Sequence, residues 1–150
     1  MKRNRKALTA ALRVVATAHT PAGVRLAQGL GARDCRYVEV RLDALLAGRG
    51  LKAEDIRQIG PPVLLTARHP AEGGIGNLSS SRRRVSLEEY LSLARAVDVE
   101  LRSVHSMARL LEAATRRRVG KVISYHDFRG TPTLKRLREV FRRSQLAGAD

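Results

Sequence analysis

Short apolar stretches recur along this chain, each ending in a charged or hydroxyl residue and each followed by a helix signal. That alternation constrains the fold more than any other feature. Leu12 to Ala18 reads as a strand of β-branched and small residues ending at Thr17 and His19. Pro21 to Leu30 reads as a helix, with Thr20 as cap, Pro21 in the first turn and Gly31 after its end. Tyr37–Leu42 is the second strand, carrying Glu39, Arg41 and Asp43 at alternating positions, and Leu51–Ile59 is a short helix closed by Gly60-Pro61-Pro62. Val63–Ala67 is the third strand, and it leads through Arg68 into a glycine-rich loop that runs to Ser81. Ser86-Leu87-Glu88-Glu89 has the form of a capping box opening the third helix. Asp98–Leu101 and Lys121–Ser124 are the fourth and fifth strands, with a helix over Ser106–Arg117 between them. A last helix, capped at Thr131-Pro132, runs to Leu146 and closes with Gly148. Strands alternating with helices in this way predict an α/β fold with a parallel sheet and right-handed crossovers.

An open doubly wound sheet and a (β/α) barrel both fit that order. No Gly-x-Gly-x-x-Gly turn follows the first strand, so nothing supports a dinucleotide site. Gly73-Gly74-Ile75-Gly76 has no Lys-Ser/Thr after it and is weak as a phosphate cradle. Polar residues at successive strand ends favour the barrel, where chemistry gathers at the C-terminal face. Those residues are Thr17, then Glu39, Arg41 and Asp43, then Arg68 and Glu72, then Glu100, and finally His126. Acid, arginine and imidazole together suit proton transfer on a substrate with a carboxylate, which arginine binds in bidentate fashion.

Composition narrows the remaining classes. A chain of 150 residues is long enough for one domain with a real core. Cys35 is the single cysteine, which excludes an intrachain disulfide and suits a reducing compartment such as the cytoplasm. No apolar run is long enough to cross a bilayer. The stretch from Met1 to Thr20 is basic and free of acids, as in a transit peptide, but a solvated basic tail over residues 1–12 is the plainer reading. The formal charge of +15 and the runs Arg82-Arg83-Arg84 and Arg116-Arg117-Arg118 invite a nucleic-acid partner. Against that, the basic residues are dispersed over every helix and loop, and aromatics make up only 3% of the chain, too few for a base-stacking platform.

Four segments together resemble type I 3-dehydroquinate dehydratase, in that family's order and at suitable spacing. They are Val38-Glu39-Val40-Arg41-Leu42-Asp43; Leu65-Thr66-Ala67-Arg68 with Glu72-Gly73-Gly74; Asp98-Val99-Glu100-Leu101; and Ser124-Tyr125-His126-Asp127-Phe128 with Thr131-Pro132. The resemblance covers the chain from about Arg13 to Asp150. It implies parallel (β/α) units of a TIM-type barrel that eliminates water from 3-dehydroquinate to give 3-dehydroshikimate in the shikimate pathway, with no metal and no cofactor. In the family a lysine condenses with the substrate ketone, and the iminium so formed draws electrons from the adjacent carbanion. By motif match, His126 removes the neighbouring proton and assists departure of the hydroxyl, and Glu72 orients and polarises the imidazole. Glu39, Arg41 and Arg68 match substrate-binding positions, and Thr17 matches a hydroxyl position on the first strand. Glu100 and Asp127 belong to the motifs without an assigned role.

The resemblance also sets an expectation about extent. The imine-forming lysine of the family lies on the sixth strand, just beyond a segment like Leu146–Asp150. The lysines here are Lys2 and Lys6 in the tail, Lys52 and Lys135 on helices, and Lys121 at the N-terminal end of its strand. None is placed to reach a substrate beside His126. The sequence therefore reads as the N-terminal portion of a dehydratase, a barrel domain over 13–150 truncated after about five units and inactive alone. It would need a complementary C-terminal half or a homo-oligomeric partner. The alternative is a catalytically dead remnant that serves as an interaction scaffold.

Overall fold

A computed structural model describes residues 14–46 and 51–150. The basic tail, the first residues of the expected first strand and residues 47–50 lie outside the described residues, and with them the expected domain boundary at 12/13. The elements are β1 (Val15–Ala18), α1 (Pro21–Gln28), β2 (Tyr37–Arg41), α2 (Leu42–Leu45), α3 (Ala53–Arg57), β3 (Val63–Thr66), α4 (Ser80–Tyr90), β4 (Ala96–Glu100), α5 (Ala108–Arg116), β5 (Gly120–Ser124) and α6 (Leu134–Leu146). Short 3₁₀ turns at Pro70–Glu72, Leu91–Leu93 and Leu101–Ser103 join them. All strands are parallel and lie in sequence order, β1-β2-β3-β4-β5. This is the arrangement of consecutive units in a (β/α) barrel, and it excludes the doubly wound alternative, whose strand order reverses.

The two faces of the sheet have different chemistry because side chains alternate along each strand. Val38 and Val40, Leu65, and Val97 and Val99 point to the helix side, where they pack with Val24, Leu42, Ile56, Leu87, Leu91, Met107 and Leu110 in one core. Burying each such side chain contributes about 1.5–3 kcal/mol, and this layer carries the fold. The opposite, concave face bears Thr17, Glu39, Arg41, Thr66, Asp98 and Ser124 near the C-terminal ends of the strands. The register fixes this placement, with Thr17 beside Glu39, Thr66 beside Asp98, and Glu100 beside Ser124.

Several element boundaries differ from the sequence reading, each for a physical reason. α1 ends at Gln28 with Gly29 as its cap, two residues early, because the Gly31 amide instead donates to Asp34 Oδ2 at 2.7 Å in a separate turn. The third helix begins at Ser80, not at the Ser86 box. Ser79 Oγ accepts from the Arg82 amide at 3.3 Å, while Ser86 lies inside the helix and its hydroxyl donates to the Arg82 carbonyl. The first turn of α4 is Ser-Ser-Arg-Arg, with no apolar residue to mark it. α6 is capped by Thr133, whose Oγ1 accepts from the Arg136 amide at 3.3 Å, so Thr131-Pro132 sits in the preceding loop.

Among the described residues, β1 and β5 are the edges of the sheet. Beside the β5 edge, α6 buries none of its residues, and Leu134, Phe141 and Leu146 are exposed, as is Val122 on β5. No helix among the described residues is long and apolar enough to cross a membrane.

Candidate active site

At the concave mouth, polar side chains from all the strands close on one another. Glu39 accepts from Thr17 Oγ1 at 2.9 Å and from Thr66 Oγ1 at 2.8 Å, which ties β1, β2 and β3 together. Arg68, 6% exposed, is the hub. Its Nη1 lies 3.0 Å from Asp98 Oδ1, 2.7 Å from Ser124 Oγ and 3.5 Å from Glu100 Oε1, and its Nη2 lies 3.6 Å from Glu39 Oε1. Ser124 in turn donates to Asp98 at 2.6 Å. Arg41 forms a two-pronged pair with the fully buried Asp43, at 2.9 and 2.8 Å, and also donates to the Gly73 carbonyl at 3.1 Å.

The carboxylates of this network are tuned in different directions. Burial alone would push Asp43 up, but hydrogen bonds from Arg41 and from the Ile75 and Arg68 amides outweigh it, and the group ends below its ordinary value. Burial likewise presses on Glu100, where the His69 amide, Ser103 and Arg83 overcome it and hold the carboxyl low. At Asp98 burial prevails over Arg68 and Ser124, and the carboxyl is raised.

Arg83 does not belong to a solvent-facing basic run at residues 82–84. Only 1% exposed, it runs from α4 under the strand ends and donates to Glu100 Oε2 at 2.9 Å, to the Ala67 carbonyl at 3.0 Å and to Ser103 Oγ at 2.9 Å. Its Nε is the one buried side-chain nitrogen or oxygen among the described residues without a partner. A run of three arginines gives no sequence signal for which of them turns inward. Glu100, left without a role by its motif, is the counter-charge that makes the inward turn possible.

Glu72 and His126 meet outside this network. Glu72 ends the 3₁₀ turn after β3, and His126 follows β5 by two residues. The Glu72 side chain is 5% exposed; its Oε2 accepts from the His126 amide at 3.0 Å and lies 2.9 Å from His126 Nδ1. A carboxylate can only accept, so Nδ1 carries the proton, and in the neutral ring Nε2 keeps its lone pair. Arg102, which the sequence reading did not single out, brings its Nε to 3.4 Å from the other oxygen, Oε1. The ring of Phe128 stacks on the imidazole with centroids 6.2 Å apart and planes at 16°. Glu72 and His126 line a single cleft of about 510 Å³ together with Leu101, Arg102, Tyr125, Phe128 and Arg136.

The six residues singled out in the sequence thus fall into two groups. Thr17, Glu39, Arg41 and Arg68 share the concave network, and Glu72 and His126 share the cleft. Two bridges join the groups: Ser124, two residues before His126, and Gly73, which accepts from Arg41 and faces the Phe128 ring. Gly73 has φ +83°, and a Cβ there would come within 3.3 Å of that ring, so glycine suits the position on both counts. None of Lys52, Lys121 and Lys135 lines the cleft, and Lys121 Nζ donates to Thr115 Oγ1 at 3.2 Å, at the opposite end of the sheet.

Comparison with known proteins shows the family and the fold. The sequence model of the family described as Type I 3-dehydroquinase matches residues 14–150. A 3-dehydroquinate dehydratase of Methanosarcina mazei is 36% identical over 122 residues, covering 75% of this chain and 50% of its own length. That of Methanocella arvoryzae is 31% identical over 138 residues, covering 91% of this chain and 61% of its own length. Among solved structures, the 3-dehydroquinate dehydratase of Enterococcus faecalis superimposes with TM-score 0.76 at 25% identity, over 91% of this chain and 62% of the other. The Aquifex aeolicus enzyme gives 0.76 at 24% identity, a likeness of fold. The chain spans about half the length of the first curated relatives it matches.

Proposed function

We propose that this chain, which belongs to the type I 3-dehydroquinase family, carries the proton-transfer machinery of a 3-dehydroquinate dehydratase. The observation that carries the reading is the Glu72–His126 pair, with Nε2 as the basic atom beside a cleft. Nε2 takes the proton from the carbon next to the substrate's imine carbon, and the C–H electron pair passes into the iminium to give an enamine. That pair then returns to form the C=C bond as the C–O bond breaks, and the imidazolium gives its proton to the departing hydroxyl, which leaves as water. Glu72 fixes the tautomer and stabilises the imidazolium formed in between.

Glu39, Arg41, Arg68 and Thr17 are proposed as the floor that receives the substrate's hydroxyl and carboxylate groups. Their placement on the concave face, one bridge away from His126, supports that role. The imine-forming lysine is proposed to come from polypeptide outside these residues, because no described lysine lines the cleft. The exposed apolar side of α6 beside the β5 edge fits a surface that such polypeptide covers.

The test is complementation. The chain alone, given 3-dehydroquinate and borohydride, should neither gain an adduct mass nor release product. Co-expressed with the C-terminal half of the Methanosarcina mazei relative, it should produce dehydroshikimate, with the adduct on the complementing half. His126→Ala in that complex should lower turnover by about two to four orders of magnitude while imine trapping persists. Turnover by the chain alone would sink the proposed source of the lysine, and near-normal turnover of the His126→Ala complex would sink the base.

A further inference from the structure

The turn that delivers Glu72 is held through one residue outside the four segments' assigned roles. His69 directly follows the hub Arg68 and caps the 3₁₀ turn Pro70–Glu72. Its amide donates to Glu100 Oε1 at 2.8 Å, and its carbonyl accepts from the Glu72 amide at 2.8 Å and the Gly74 amide at 3.0 Å. Its Nδ1 accepts from the Ala71 amide at 3.0 Å. This last bond sets a chemical condition, because an imidazole nitrogen accepts a hydrogen bond only while it carries no proton. Serine, threonine, asparagine or aspartate would cap the same turn without that condition near neutral pH.

We infer that His69 is a positioning residue whose unprotonated Nδ1 holds the Glu72 turn in place, so that protonating His69 releases Glu72 from His126. The charged groups acting on the imidazole are Arg83 from α4, Arg102 from the turn after β4, Glu100 from β4 and Glu72 from its own turn. Burial leads, with the two arginines, in holding the ring neutral, against the pull of the two carboxylates. Once the ring is protonated, the Ala71 amide loses its acceptor and the turn acquires a cation next to Arg83 and Arg102. Glu72 sits at the end of that turn and makes both bonds to His126. The inference rests on the proposed function only for its catalytic meaning; its structural content can be read without turnover.

The experiment is an NMR titration of the full chain from about pH 8 to pH 5. It follows the His69 and His126 ring nitrogens, the Ala71 amide and the hydrogen-bonded Nδ1 proton of His126. That proton survives protonation of His126 itself, since the imidazolium keeps it, so its loss reports loss of Glu72. As His69 protonates, Ala71 exchange protection should fall about fivefold, the equivalent of one N-cap, and the His126 Nδ1 signal should broaden in step. His69→Asn should keep both signals through the same range, and His69→Ala should show the roughly fivefold lower protection and the broadened signal at every pH. Loss of the signals in His69→Asn at the wild-type pH, or their undiminished persistence in His69→Ala, would overturn the inference. If His69→Ala does not fold, the Asn variant decides alone. Failure of the dehydratase assay with this titration intact would remove the proposed function and leave the device standing.

Discussion

The concave network and the cleft beside it lie a few residues apart in sequence yet use their polar groups in opposite ways. In the network, the capacity of the two buried carboxylates Asp43 and Glu100 is filled internally. Asp43 takes four donors, two from Arg41 and one each from the Arg68 and Ile75 amides. Glu100 is surrounded by Arg83, Ser103, the His69 amide and Arg68. In the cleft, His126 spends one ring nitrogen on Glu72 and keeps the other, and its side chain is 33% exposed. The filled region gives rigidity and the open one gives reactivity. In the proposed role, a base that exchanges protons cannot be saturated, while the frame that aims it must be.

That contrast predicts a hierarchy of stabilities. Glu100→Ala should be the most damaging change, because it strands the buried Arg83 without a counter-charge. A loss of about 3–5 kcal/mol in urea unfolding is expected, and a loss below 1 would show that the pair contributes little. Gly74→Ala comes next, since a Cβ there would run into the Arg68 carbonyl oxygen. The backbone must move, at about 3 kcal/mol, whereas Gly130→Ala, with nothing within 4 Å, should stay within about 0.5 kcal/mol.

Asp43→Asn should cost about 2 kcal/mol at neutral pH, through weakened charge-assisted bonds, and should also change the acid response. Asp43 and Glu100 sit below their ordinary values of 3.8 and 4.5. Their stabilisation is therefore complete above those values and is lost as the pH falls through the depressed ones. Asp98 is raised, so its contribution is favourable below 3.8 and is lost as the pH rises through its folded value. Unfolding free energies measured between about pH 6 and pH 3 should thus fall less steeply in Asp43→Asn than in the wild type. An unchanged slope would remove Asp43 from the acid response. A small effect also belongs to the cleft: His126→Ala should alter stability by less than about 1 kcal/mol. A larger loss would mean that the imidazole is part of the frame.

The alternation of apolar runs made the strand order readable, because a strand that packs on helices needs its Val and Leu at fixed parity whatever else it does. The start of α4 was not readable. Its first turn is all serine and arginine, and a familiar capping pattern at Ser86 lay within the helix. Glu72 and His126 could be found through motif resemblance and do share a cleft. Arg83, Arg102 and His69 could not, since nothing local marks which arginine turns inward or which histidine ends up accepting an amide. Those facts depend on where Glu100 and Glu72 come to rest, and that is decided by packing across the sheet.

The loop from His69 to Ile75 is tied down at both ends by partners distant in sequence, the His69 amide by Glu100 on β4 and the Ile75 amide by Asp43 after β2. During folding it can become ordered only when both neighbouring strands have already docked, and such non-local closures come late. The Glu72–His126 contact is therefore set in place only in a chain whose central strands are assembled, so the integrity of the cleft reports that folding has finished.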